Sequence, residues 1–199
     1  MHFLLCLAAA SLVAVDMADA ADVFSINTYI PGDFVLDGEV LHASDNGFFT
    51  GLEGPSTKCP ITPSSQCPPV AGTLVNGPME SMAVMVSGGQ TIYVQADGEV
   101  KYSVPHSAHI PPDAIIGGFY HKTVVSSWLP VQDEVIDFHD GRGHMGLVLC
   151  YSGEGPEGDK YALFARTAGF DEDACVDLTD VPGLALTKSE GYVGCWQYE

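Results

Sequence analysis

Asp97-Gly98 divides two runs of β-branched and aromatic residues, Thr91-Ile92-Tyr93-Val94-Gln95-Ala96 and Glu99-Val100-Lys101-Tyr102-Ser103-Val104. Such residues fit a pleated surface, and Asp-Gly supplies the turn chemistry of a hairpin. Cross-strand partners share a face, so the apolar pattern selects the register. A two-residue loop would pair Val94 with Lys101 and Ile92 with Ser103, mixing apolar and polar on both faces. A three-residue loop, Ala96-Asp97-Gly98, with Gly98 in the left-handed conformation of a bulge, pairs Val94 with Val100 and Ile92 with Tyr102. That register puts four apolar side chains inward and leaves Tyr93, Gln95, Glu99 and Lys101 on the other face.

The rest of the chain repeats this grammar of short β-type runs broken by turns. Val23 to Ile30 and Phe34 to His42 flank Pro31-Gly32-Asp33, and Asp45-Asn46-Gly47 precedes Phe48-Phe49. Ser56 to Pro69 carries Pro60, Pro63, Pro68 and Pro69 with two cysteines and reads as a surface loop. Met79 to Val86 reads as a strand entering the hairpin. Ala114 to Tyr120 resumes after Ile110-Pro111-Pro112, and Val131 to Phe138 fits either a strand or a helical turn. Leu147 to Tyr151, a Gly/Pro-rich turn over Ser152 to Asp159, and Tyr161 to Ala165 read as a second hairpin. Gly194 to Tyr198 reads as a closing strand. Many short strands and no amphipathic helix predict an all-β, single-domain antiparallel β-sandwich or distorted barrel. A β-trefoil-like fold is the alternative, although no internal repeat is visible.

Residues 1–20 stand apart. Phe3 to Val15 is an apolar run short for a bilayer span, and Ala18-Asp19-Ala20 offers a small-x-small cleavage site, which predicts a secretory signal peptide and a secreted domain over 21–199. With 26 acids against 7 lysines and arginines, a net charge of −19, the chain repels nucleic acid and anionic lipid, and no later run is long enough for a membrane span. Loss of Cys6 with the leader leaves an odd set: Cys59, Cys67, Cys150, Cys175 and Cys195. An oxidising compartment then predicts two disulfides and one leftover thiol. Of the arrangements that satisfy this count, the favoured one pairs Cys59 with Cys67 across the Pro-rich loop and Cys150 with Cys175 between two late segments. Cys195 is left either as a buried free thiol or as the bridge of a disulfide-linked dimer. No spacing is CxxC, so zinc and thioredoxin-like sites lack a motif.

The stretch Gly88-Gly89-Gln90-Thr91-Ile92-Tyr93-Val94-Gln95-Ala96-Asp97-Gly98, followed by His106-Ser107 and Ile110-Pro111-Pro112, resembles fungal secreted proteins known as IgE-binding proteins, relatives of the phialide-associated cell-wall protein. The resemblance extends to Phe24-Ser25-Ile26, Leu41-His42-Ala43-Ser44, Phe48-Phe49 with Gly51, Cys59-Pro60, Cys67-Pro68-Pro69, Leu149-Cys150, Tyr161 with Leu163-Phe164-Ala165, Cys175 and Trp196-Gln197-Tyr198. It implies a small secreted or wall-associated fungal protein with antigenic behaviour and a link to spore-bearing structures. It implies no catalytic residues. Cys195 and the segment His121 to Gly143 depart from the family pattern.

His106 and His109, with His121, His139, His144, Asp137 and Asp140 downstream, have the side chains for zinc or copper. On an extended Pro-rich segment, though, a spacing of three turns the first two rings to opposite faces, and no metal site or cofactor is assigned. Asp133-Glu134, Asp137 with Asp140, and Asp171-Glu172-Asp173 invite a glycoside-hydrolase reading, which needs two carboxylates set across a cleft. In so acidic a chain such clusters arise as solvated faces. No GxSxG elbow is present. Trp128 and Tyr93 are the candidate glycan contacts, since aromatic faces stack on the apolar faces of sugars, while Trp196 reads as a sheet-closing residue. The expectation is therefore a non-enzymatic secreted or wall-associated structural or antigenic protein, with wall polysaccharide or wall protein as partner. A glycan-binding or host-interaction module comes second and a small secreted hydrolase third.

Overall fold

A computed structural model describes residues 22–70, 72–125, 132–178, 183–189 and 194–199. In chain order the strands are β1 (Val23–Tyr29), β2 (His42–Ser44), β3 (Gly47–Phe49), β4 (Thr57–Lys58), β5 (Leu74–Asn76), β6 (Ser81–Met82), β7 (Ile92–Val94) and β8 (Val100–Tyr102). They continue with β9 (Ile115–Ile116), β10 (Phe119–Val125), β11 (Gln132–Phe138), β12 (Leu147–Gly155), β13 (Gly158–Ala165), β14 (Cys175–Asp177), β15 (Gly183–Lys188) and β16 (Gln197–Tyr198). One sheet has the order β10-β11-β15-β1-β5-β6; the other runs β14-β12-β13-β3-β8-β7-β9 with β2 paired to β3, and β16 pairs with β4. Among the described residues every pairing between these strands is antiparallel. The fold is all-β and disulfide-containing, with a curled sheet forming a half-barrel, as the turn-rich sequence predicts.

The β7–β8 hairpin has the bulged register. Ile92 faces Tyr102 and Val94 faces Val100, and all four are fully buried. Gly98 takes φ +97° and its N–H bonds the Gln95 carbonyl at 2.9 Å, while the Gln95 N–H reaches the Glu99 carbonyl at 2.9 Å. A Cβ at Gly98 would collide with the Ala165 carbonyl, which explains why glycine occupies this turn. Segment Val131 to Phe138 resolves as a strand where it is described: β11 pairs with β10 from Gln132 to Phe138. The second hairpin is longer than expected, because β12 and β13 continue to Gly155 and Gly158 around Pro156-Glu157, with an irregularity between Tyr151 and Glu154.

Phe34 to His42 is not a continuous strand. The Asp33 carboxylate accepts the Val35 and Leu36 N–H groups at 2.9 and 3.0 Å, and Asp37 accepts the Ile30 N–H at 2.8 Å. These local bonds hold a turn against the β preference of Phe34-Val35, whose side chains point into solvent. Extended pairing returns only at the Val40 bridge to Asn27 and at β2.

Between the sheets, Ile26, Val75, Ile136, Phe138 and Leu184 of the first belong to one core with Phe48, Leu147, Leu149 and Leu163 of the second. The C-terminus closes that core. Tyr198 is fully buried, edge-on to Tyr102 at 6.3 Å, and Tyr102 is edge-on to Phe48 at 5.6 Å. The Tyr198 hydroxyl accepts the Leu74 N–H at 2.9 Å and donates to the Gly72 carbonyl at 3.0 Å. Burial of this aromatic cluster with its polar ends satisfied supplies both apolar area and register.

Candidate functional site

The two disulfides are Cys59–Cys67 and Cys150–Cys175. Cys195 is free and 2% exposed. Burial pushes its thiol up to about 11, with the Tyr198 hydrogen bond acting the other way, so the sulfur is neutral and turned away from any second molecule. An intermolecular bridge through Cys195 would require the C-terminal strand to open.

The exit of the first hairpin borders a concavity of about 440 Å³ lined by Ser87, Gly88, Gly89, Thr91, Ser103 and His106 among others. Ser103 Oγ accepts the Thr91 N–H at 2.9 Å and Ser107 Oγ accepts the His109 N–H at 3.1 Å, so these hydroxyls brace their own loop. Three of the other histidines have local neighbours: His121 Nδ1 lies 4.0 Å from Glu134, His139 packs on Tyr120 at 5.4 Å, and His144 Nδ1 is 2.6 Å from Asp140. No group of three His, Cys, Asp or Glu stands ready for a metal ion among the described residues.

The acids fall into separate places. Asp137, on β11 of the first sheet, is buried and accepts from Tyr120 Oη at 3.3 Å and Lys122 Nζ at 3.4 Å. Asp140 closes a turn through the Arg142 and His144 N–H groups at 2.6 and 3.0 Å. Partial burial pushes its carboxyl up, but these donors and the His144 ring outweigh that and bring it down to about 2. Asp171, Glu172 and Asp173 are exposed on the loop before β14, at the edge of the second sheet.

The second concavity, of about 370 Å³, lies on the outer face of the second sheet and is lined by Phe49, Glu99, Cys150, Lys160, Ala162 and Phe164, with Asp97, Tyr151, Ser152 and Glu172 completing it. Register builds it. His42 faces Phe49, Phe49 faces Ala162, Ala162 faces Cys150 and Cys150 faces Cys175, so one cross-strand row spans β2, β3, β13, β12 and β14. Period-two alternation along β13 puts Lys160 and Phe164 on the same face as Ala162. The small side chains of that row form a floor between the Phe49 and Phe164 rings. Lys160 Nζ stands 5.0 Å from the Phe49 centroid, and Phe164 is edge-on to Phe170 at 6.1 Å. Gly47 leaves room for the Phe49 ring, whose edge a Cβ there would meet at 3.1 Å. Glu99 pairs with Lys101 at 2.8 Å. His42, at the end of the row, has an Nδ1 with no partner among the described residues; burial pushes its pKa down and Glu157 pulls it partly back.

Of the two expected glycan contacts, Tyr93 and Trp128, the structure describes the first. Tyr93 is only 7% exposed, flanked in the sheet by Lys101 and Ile116, and offers no ring face to a sugar. β9 pairs on the far side of β7, so Tyr93 has a cross-strand neighbour on each side. Trp128 lies outside the described residues. Trp196 is half-buried, and its carbonyl accepts the Val86 N–H at 3.0 Å. Phe49, Lys160 and Phe164 were missed as a group. The signal was there in the alternation of Lys160-Tyr161-Ala162-Leu163-Phe164, but the adjacency of β3 to β13 has no sequence signature.

No family model matches the chain, and no solved structure matches it. It is similar to a secreted protein of Arthroderma benhamiae, itself described as uncharacterized, with 31% identity over 174 residues, covering 84% of this chain and 82% of the relative. The chain belongs to the same family as that secreted fungal protein.

Proposed function

We propose that this is a non-enzymatic, secreted fungal protein of the cell surface, structural and antigenic in role, akin to the IgE-binding proteins and the phialide-associated wall protein. The observation that carries the reading is the closure of a disulfide-tied body by its own C-terminus, with Tyr198 buried between the sheets, in a chain whose relative is a secreted fungal protein. Disulfides persist in oxidising compartments, and a net charge of −19 keeps such a body soluble outside the cell. Five of the seven lysines and arginines sit in ion pairs, which leaves the surface field to the acids. Residues 1–20 act as the leader and 21–199 as one domain. Fractionation of a culture expressing the tagged full chain tests this: the protein belongs in the medium and wall fractions as a monomer on non-reducing electrophoresis. Retention in the cytosol, or turnover of a panel of polysaccharide and ester substrates by the purified protein, contradicts it.

A second reading, a glycan-binding module, is favoured by the outer groove, where two partly exposed phenyl rings flank a shallow floor rimmed by carboxylates and Lys160. Neutral and amino-sugar oligomers alike producing no heat on titration would remove it.

A further inference from the structure

We infer that the groove over β3, β13 and β12 recognises a cationic amino sugar, a chain of glucosamine units bearing free ammonium groups; this rests on the glycan-binding reading and adds the charge of the ligand to it. The floor and rings supply the sugar part. Lys160, Ala162 and Phe164 stand on one face of β13 in steps of about 7 Å, and Phe49 lies directly across from Ala162. The site is therefore a concavity lined by two partly exposed phenyl rings; Lys160 stands over Phe49, which leaves Phe164 as the ring for the C–H face of a pyranose.

The charges supply the cationic part. Asp97, Glu99 and Glu172 line the groove against Lys160 alone, and Asp171 and Asp173 flank Glu172 on the same exposed loop. Lys101 balances Glu99 and leaves the remaining rim acids in excess. The Phe49 ring already holds an ammonium, that of Lys160, so its face is one that accepts a cation. An anionic polysaccharide would meet repulsion both here and from the chain as a whole. A basic peptide satisfies the charges but not the architecture. Here β13 is hydrogen-bonded on both sides, to β12 and β3, so the groove has no free strand edge on which an extended peptide could pair.

The test is titration calorimetry of the full secreted chain at physiological salt with three probes: a glucosamine tetramer, an N-acetylglucosamine tetramer and a tetralysine peptide. The glucosamine tetramer should bind saturably and one-to-one, at least about tenfold tighter than either other probe. Glu172→Gln and Phe164→Ala should each weaken it about fivefold or more, with circular dichroism unchanged, whereas Glu134→Gln, which removes the same charge from the first sheet, should leave it as it was. Equal affinity for both sugars would overturn the inference while leaving glycan binding in place; silence with both sugars would overturn both. Peptide binding as tight as the amino sugar would overturn the sugar assignment. Equal weakening by Glu134→Gln and Glu172→Gln would reduce the effect to bulk charge and overturn the site.

Discussion

The Gln90 carboxamide and the Tyr198 backbone bond each other twice: the Tyr198 N–H donates to Gln90 Oε1 at 2.8 Å, and Gln90 Nε2 donates to the Tyr198 carbonyl at 3.0 Å. Gln90 is 1% exposed and also donates to the Ser103 carbonyl at 3.0 Å. One side chain thus stands in for a strand at the point where the C-terminus enters the core, far from it in sequence. Gln90→Ala strands buried donors and acceptors and should cost about 2–4 kcal/mol. In a domain of this size that lowers the melting temperature by roughly 5–15 °C. A scanning calorimetry shift below about 2 °C would show that the clamp is dispensable.

Gly98→Ala should destabilise by about 1–3 kcal/mol, since the backbone sits at φ +97° and the new methyl would press on the Ala165 carbonyl. The same substitution at Gly32, also at positive φ but with open space around a Cβ, should cost less. Urea denaturation of the two variants gives the comparison, and equal midpoints would count against the close contact between the hairpin turn and β13.

Cys195 should be silent to a thiol reagent in the native protein and react, one equivalent per chain, after denaturation without reductant. The sign of its pH effect follows from the raised pKa. The folded state holds the proton more tightly than the unfolded thiol, so this contribution to stability is intact below pH 9 and falls away as the pH rises toward about 11. Rapid labelling of the native protein near pH 8 would contradict the buried placement.

Asp140 works in the opposite sense. Its folded pKa is depressed to about 2 from the model-peptide value of 3.8, so it stabilises the Asp140–His144 turn above pH 4 and that support is lost as the pH falls through 2. Carbon-detected NMR titration of the Asp140 carboxyl should find a midpoint near 2 that is lost in Asp140→Asn, and an ordinary midpoint would disprove the local bonding.

Much of the architecture was legible in the residues because strands and turns leave local marks. The hairpin register follows from four apolar side chains and one glycine, and the all-β class follows from the spacing of turns. Phe34-Val35 misled because β propensity says nothing of the two aspartates whose carboxylates capture the neighbouring N–H groups. Tyr93 misled for a different reason: its lateral neighbour Ile116 comes from β9, which pairs through only two residues, Ile115 and Ile116. The outer groove was the least legible, since Phe49 and Ala162 are neighbours only through a single ladder contact between strands more than a hundred residues apart.

The most direct measurement of the whole reading is a binding isotherm of the purified secreted chain on isolated fungal cell walls. Retention should be saturable, released by a soluble wall oligosaccharide and sharply reduced in Phe164→Ala. Protein that stays in the supernatant at every wall concentration would contradict the wall association, and retention that Phe164→Ala leaves unchanged would contradict the groove.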